Sequence, residues 1–272
     1  MSEKKLPKTG VVIVSCDRPI SLKPAYHSTL DTGHDELEMV YIVDSASVKP
    51  DVKRVLECIQ SDHKKHAPRT ALQLHQLLER KLPGSARNHA YRQMTLDGIE
   101  LILNLDDDDV YRPGFVQTMR VEFERLGRPD ILVPSQIAKQ WGPGGMIEQV
   151  YSHIPKELSE FDAWVRLCMM GGTFGISAAA LEKFGGFDEM KPGDEWIRML
   201  YRWVLHGARV EQAYTNFTRS YLWMQHHSDV HDNRRTMDRS TAYDVARDVW
   251  SQHIAGAEAG KFGVIAAIAA ES

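Results

Sequence analysis

The sequence predicts an α/β domain built on a mainly parallel, Rossmann-like central sheet flanked by helices. Three observations predict it. Short apolar runs alternate with helical patterns through the first half of the chain, the order of a doubly wound sheet. The runs are continuous rather than alternating, as befits strands covered on both faces. Acidic residues directly follow two of them, at the strand ends where open α/β sheets bind ligands.

Each element has its own reason. Val11–Ser15 is a β-branched run that reads as a buried strand, and Leu37–Val43 is a second, ending at Asp44. Between them Pro19–Leu30 suits a short helix that Pro24 disturbs. Pro50 opens a helix with Val52, Val55, Leu56 and Ile59 on one face, and Ala71–His75 is a third strand. Ser85–Asp97 is expected to be helical, with Ser85 as N-cap and Gly98 as terminator. Leu101–Leu105 is a strand running into four aspartates. Pro113 starts a helix that gathers Phe115, Val116, Met119, Phe123 and Leu126 on one side, and Ile131–Pro134 is strand-like.

The second half is less regular. Gln140–Gly145 is a loop or hairpin, Gly171–Ser177 a strand, Asp194–His206 a helix and Ala208–Tyr214 a strand. Tyr221–Arg235 lacks helical periodicity and reads as a loop over the site. Ser240–His253 is expected to be a terminal helix, and the Ala/Gly-rich tail from Ala255 is either a docked helix or a loose end. No internal repeat or linker divides the chain. We expect a tail over 1–9, a single domain over 10–254 and a tail over 255–272.

The 272 residues can bury a large core. Lys plus Arg number 33 and Asp plus Glu 37, a formal charge of −4, which argues against a general nucleic-acid binder. Cys16, Cys58 and Cys168 have no paired spacing, which favours a reducing compartment over a disulfide framework. The longest apolar stretch, Val264–Ala270, is too short to span a membrane, and no secretory leader is visible. A cytoplasmic protein is expected.

The strongest chemical signal is LILNLDDDDVY, Leu101–Tyr111. Adjacent carboxylates repel one another unless cations or donors hold them, and at a strand mouth a hard divalent ion such as Mg²⁺ or Mn²⁺ would do so. The alternative is a solvated acidic turn. The spacing is not that of an EF-hand. Arg87, near a helix start, suits a diphosphate, or is a surface charge. Asp194 and Glu195 either begin a helix, where acids favour the macrodipole, or supply a general base. Trp196 stacks on a sugar or packs into the core. QHHSDVHDNRR, from Gln225 to Arg235, is either a polar loop or a late contributor of metal and phosphate ligands.

The order VVIVS, YIVDS, GSARNHAY, LDDDDVYRPGF and GGFDE-x-x-PGDEW resembles the family 2 glycosyltransferases of GT-A fold, across Val11–Tyr221. The resemblance implies a metal-dependent enzyme that moves a sugar from a nucleotide-diphosphate donor to an acceptor hydroxyl with inversion. It implies that Asp108 binds Mn²⁺ or Mg²⁺, and that Asp106 or Asp107 contacts the donor ribose. Asp44 matches the first acid of the family's V-D-D-G-S and would help hold the nucleoside, as would Ser15 and Asp17. Ser45 replaces the second acid and Ala46 the glycine. A UDP-sugar is the first expectation, with GDP- and dTDP-sugars as alternatives. Arg87 and Asn88 match a stretch beside the donor. Glu195 matches the catalytic base, with Asp194 as its acidic partner. His226 is the late metal-ligand match, with His227 and His231 as competitors, while Arg234 and Arg235 could bind phosphate. Gly171–Gly172 and Gly185–Gly186–Phe187 resemble turns bordering the acceptor pocket. The acceptor (glycan, lipid, protein or small molecule) leaves no mark.

Two rivals remain. A sugar-phosphate nucleotidyltransferase also places aspartates and a metal at such a sheet, but SCDRPISLKP after the first strand holds no glycine-rich phosphate loop. A non-catalytic nucleotide-sugar binder would not need the intact acids at Asp106–Asp109 and Glu195.

Overall fold

The computed structural model describes residues 5–30, 37–134, 136–142, 145–151, 174–187, 196, 199–200, 202–203, 206–213 and 221–225. In chain order the elements are β1 (Thr9–Ser15), α1 (Pro19–Leu30), β2 (Met39–Asp44), α2 (Pro50–His66), β3 (Ala71–Gln76), α3 (Pro83–Leu96) and β4 (Leu101–Asp106). They continue with β5 (Val110–Tyr111), α4 (Phe115–Arg125), β6 (Ile131–Val133), β7 (Gln136–Gly142), β8 (Gly145–Tyr151), β9 (Gly175–Ser177), α5 (Ala178–Phe184), β10 (Val210–Gln212) and β11 (Tyr221–Gln225).

The main sheet has seven strands in the order β10-β6-β9-β4-β1-β2-β3. All its pairs are parallel except those of β9 with β4 and β6. Alternation along β1 explains its two-sided burial. Val12 and Val14 join Tyr41 and Val43 against Ala86, Ala90, Tyr91 and Met94 of α3. Val11 and Ile13 join Val40 and Ile42 against Leu22 and Tyr26 of α1 and Phe115, Met119 and Phe123 of α4. Each such fully buried side chain contributes about 1.5–3 kcal/mol, so the central strands are the rigid frame on which the site rests.

That frame also creates a crevice. β2 lies on one side of β1 and β4 on the other, so the strand order reverses direction between β1 and β4. In register, Ser15 stands opposite Asp44, and Val14 opposite Asp106. The ends of all three strands therefore open on one edge.

A second sheet, in the order β5-β11-β7-β8, contains the expected hairpin as β7 and β8. It also corrects an expectation. Tyr221–Gln225 is not part of a loop but a strand, antiparallel to β5 and parallel to β7. Its YLWMQ run is apolar and aromatic, and the polar residues that follow masked that signal.

Two helix starts differ from expectation as well. Helix α3 begins at Pro83, with Leu82 at the N-cap and no side-chain cap, so Ser85 lies inside the first turn. Proline needs no amide partner at the first helical position, and this shifts the start upstream. Helix α4 begins at Phe115 because Gly114 is the N-cap, in the left-handed region at φ 78°, leaving Pro113 in the preceding turn. Gly98, at φ 75°, follows the Asp97 C-cap as expected. Ser240–His253 and the tail from Ala255 lie outside the described residues.

Candidate active site

Three loops meet at the crevice. The first follows β1, where Asp17 adopts φ 58°. Its amide donates to Ser47 Oγ at 2.7 Å, and its Oδ1 accepts from the amides of Val48 and Lys49 at 2.8 and 2.9 Å. The Asp17 carboxylate thus pins the β1–α1 turn to the loop after β2. Ser15, at the end of β1, is buried.

The second loop follows β2. Asp44 is buried, with Oδ1 accepting from the Ser47 hydroxyl at 2.5 Å and Oδ2 from Gln76 Nε2 at 3.0 Å. Ser45, at the position of the family's second acid, turns the other way. Its hydroxyl donates to the Lys81 carbonyl at 3.0 Å and accepts from the Lys81 amide at 2.8 Å. A side chain held on both sides by backbone makes the loop rigid.

The third loop is the aspartate turn. Asp106 ends β4, the Asp109 amide donates to the Asp106 carbonyl at 3.1 Å, and β5 begins at Val110. The tight turn brings three of the four carboxylates together. One oxygen each from Asp106, Asp108 and Asp109 lies within 4.8 Å of the others. Asp107 points inward instead and is 5% exposed. Burial pushes its carboxyl up to about 7; Arg18 and a hydrogen bond from Ser15 oppose this, while Asp108 and Asp106 add to it.

Two guanidiniums hold this turn. Arg87, from the first turns of α3, pairs with Asp106 and lies 5.8 Å from the centre of the Phe187 ring. Arg18 bridges Asp107 Oδ1, at 3.0 Å, and Asp108. Burial lowers the Arg18 pKa, but Asp107 and Asp108 outweigh it and the net direction is upward. The sequence reading named a divalent ion as the neutraliser of the aspartates and did not weigh Arg18. The signal was present, since Arg18 directly follows Asp17, but only the β1–β4 pairing brings it to the turn.

A divalent ion nevertheless fits. The Asp106 and Asp108 oxygens are hard donors on half-buried side chains, with the buried Asp109 beside them, and Mg²⁺ or Mn²⁺ binds through one or two carboxylates plus phosphate oxygens and water.

Asn88 follows Arg87 on α3. Its side chain is buried and bonded to the Phe187 backbone, so it is a structural tie. Gly185 terminates α5 at φ 77°. Trp196 stacks face to face on Phe174, with centroids 3.6 Å apart at 18°, which is the core-packing reading. Asp194, Glu195, His226, His227, His231, Arg234, Arg235, Gly171 and Gly172 lie outside the described residues.

The model of the glycosyl transferase family 2 matches residues 10–185, more than half of the chain and all three loops. The chain belongs to glycosyl transferase family 2. No curated protein matches the sequence. Solved structures agree with the family in fold. GalNAc-T7 with UDP, GalNAc and Mn²⁺ is similar at a TM-score of 0.61 and 15% identity, over 82% of this chain and 45% of that one. S. aureus TarS gives 0.61 and 18%, over 80% and 37%. The mannosyltransferase PcManGT from Pyrobaculum calidifontis, with GDP-Man and Mn²⁺, gives 0.58 and 15%, over 98% and 80%. This family 2 chain therefore has the GT-A fold, and it spans less than half the length of the first two neighbours. No helix among its described residues is long and apolar enough to cross a membrane.

Proposed function

We propose that this chain is a metal-dependent glycosyltransferase that moves a sugar from a nucleotide-diphosphate donor to an acceptor hydroxyl with inversion. The observation that carries the reading is the convergence of the Asp106, Asp108 and Asp109 carboxylates at the β4 end in a chain of family 2. Two of the neighbours, GalNAc-T7 and PcManGT, are described with Mn²⁺.

In this reading Asp108 holds Mn²⁺ or Mg²⁺, with His226 as a late ligand. Once bound, the ion neutralises charge on the leaving diphosphate. Asp106 or Asp107 contacts the donor ribose, Asp44, Ser15 and Asp17 border the nucleoside, and Arg87 faces the diphosphate. Glu195, with Asp194 beside it, accepts the proton of the acceptor hydroxyl as that oxygen bonds to the anomeric carbon. The bond from that carbon to the diphosphate breaks on the opposite face, and the nucleoside diphosphate departs. A UDP-sugar is the first candidate donor, with GDP- and dTDP-sugars as alternatives because Ser45 cannot act as the family's second acid. A cytoplasmic setting belongs to this reading, on the scattered sequence positions of Cys16, Cys58 and Cys168.

Calorimetry with UDP, GDP, dTDP and CDP, each with Mn²⁺ and again with EDTA, tests the site. Tight binding of one nucleotide, lost in EDTA, is expected; failure of all four with folded protein would remove the reading. Glu195→Gln tests the base. It should bind donor and metal normally and transfer no sugar, and transfer at the wild-type rate would refute the assignment.

A further inference from the structure

We propose that Arg18 is an exchangeable counter-ion of the aspartate turn, so that the divalent ion enters together with a nucleoside diphosphate rather than before it. This rests on the metal-dependent reading above and adds a binding order that family membership does not supply.

The geometry places one guanidinium nitrogen on both Asp107 and Asp108. The Arg18 side chain is 11% exposed, and those of Asp107 and Asp108 are 7% and 19%, so solvent screens the contact only in part. The contact is also built rather than incidental. The left-handed Asp17, held by Ser47, Val48 and Lys49, turns the chain where β1 ends, and Arg18 crosses from the β1 end to the β4 end. Asp108 cannot serve Arg18 and a divalent ion equally well. Two cations on one carboxylate, in a partly buried setting, repel by far more than thermal energy.

When the ion takes Asp108, Arg18 keeps Asp107 but loses half of its anionic partners, and a further anion restores the balance. A diphosphate brings its own negative charge to the same crevice, and guanidinium pairs with phosphate through a planar, two-bond fork. Metal and diphosphate together satisfy every partner, whereas metal alone leaves Arg18 with Asp107 only and a second cation beside it. Arg87 pairs with Asp106 and not with Asp108, so the Asp108 contact that the ion displaces is that of Arg18.

Mn²⁺ binding followed by electron paramagnetic resonance tests the proposal on wild type, Arg18→Gln and Arg18→Lys, alone and with UDP or GDP. Thermal melts establish that each variant is folded. Wild type should bind Mn²⁺ weakly alone and roughly tenfold or more tightly with a nucleotide. Arg18→Gln should bind Mn²⁺ alone roughly tenfold more tightly than wild type, with most of the nucleotide effect gone. Arg18→Lys, which keeps the charge but loses the fork, should lie between them. If folded Arg18→Gln and Arg18→Lys bind Mn²⁺ alone no more tightly than wild type, the proposal is wrong while the metal site stands. If wild type binds no Mn²⁺ with either nucleotide and Arg18→Gln binds none alone, the metal reading itself falls and takes this inference with it.

Discussion

Asn88 and Phe187, 99 residues apart, are joined by reciprocal hydrogen bonds: Asn88 Nδ2 donates to the Phe187 carbonyl at 3.0 Å, and the Phe187 amide donates to Asn88 Oδ1 at 2.8 Å. Both residues are buried, so truncating Asn88 leaves a peptide N–H and C=O without partners. Asn88→Leu should cost about 2–5 kcal/mol of stability in urea denaturation. The tie also explains Gly186, where a Cβ would lie 2.0 Å from Asn88 Oδ1. Gly186→Ala should be destabilising alone, and much less so in an Asn88→Ala background, because the clash and the bonds belong to one contact. Additive losses would show that the two residues act independently.

Ala46 stands where the family has glycine, and its φ is 52°. A left-handed backbone costs an L-residue about 1–2 kcal/mol, while glycine adopts it without strain. Part of that gain is lost to glycine's greater freedom in the unfolded chain. Ala46→Gly should therefore stabilise the protein by about 0.5–1 kcal/mol, seen as a rise in Tm. A lower Tm would mean that the turn is not strained at this position.

The sheet was legible in the sequence because its signals are local. VVIVS, LILNL and the stripe from Phe115 to Phe123 are apolar at the period of their own element, and they recur as β1, β4 and α4. The aspartate turn was legible for the same reason, since four acids after a strand have few structural uses. Its partners were not. Arg18 reaches Asp107 across 89 residues and Arg87 reaches Asp106 across 19, and only the strand order makes those pairs neighbours. Asn88 matches the same family stretch beside the donor as Arg87 does. Consecutive helical residues point to different sides, and Asn88 faces Phe187 instead.

Acid should release the N-terminal edge of the sheet before the core. Glu100 accepts from the Lys8 amide at 2.9 Å and from Arg128 at 2.7 Å, and these bonds hold its carboxyl below the usual range. A depressed folded pKa stabilises above the unfolded value, and the contribution is lost as pH falls through the folded value. Glu100→Gln should therefore lower Tm at pH 7, and the difference from wild type should close below about pH 4. The effect is small because the group is partly exposed. A difference independent of pH would assign it to packing rather than charge.

Tyr26 and His63 lock α1 to α2 beneath the sheet, and the hydrogen bond between them gives a test of that packing. The Tyr26 hydroxyl is 2.8 Å from His63 Nδ1, and His63 Nε2 is 2.7 Å from the Thr70 carbonyl. A carbonyl only accepts, so Nε2 carries the proton and Nδ1 accepts from tyrosine. Burial, with a smaller contribution from Asp62, pushes the Tyr26 pKa upward, so its hydroxyl remains a donor in neutral and mildly alkaline solution. Tyr26→Phe keeps the ring and removes one donor, leaving Nδ1 buried and unpaired, at a cost of about 1–2 kcal/mol. His63→Leu removes both bonds and should cost more. In a double-mutant cycle the two should be coupled by about 1 kcal/mol, because adding Tyr26→Phe to His63→Leu no longer strands a nitrogen. Zero coupling would mean that the hydroxyl and the imidazole contribute separately, through packing alone.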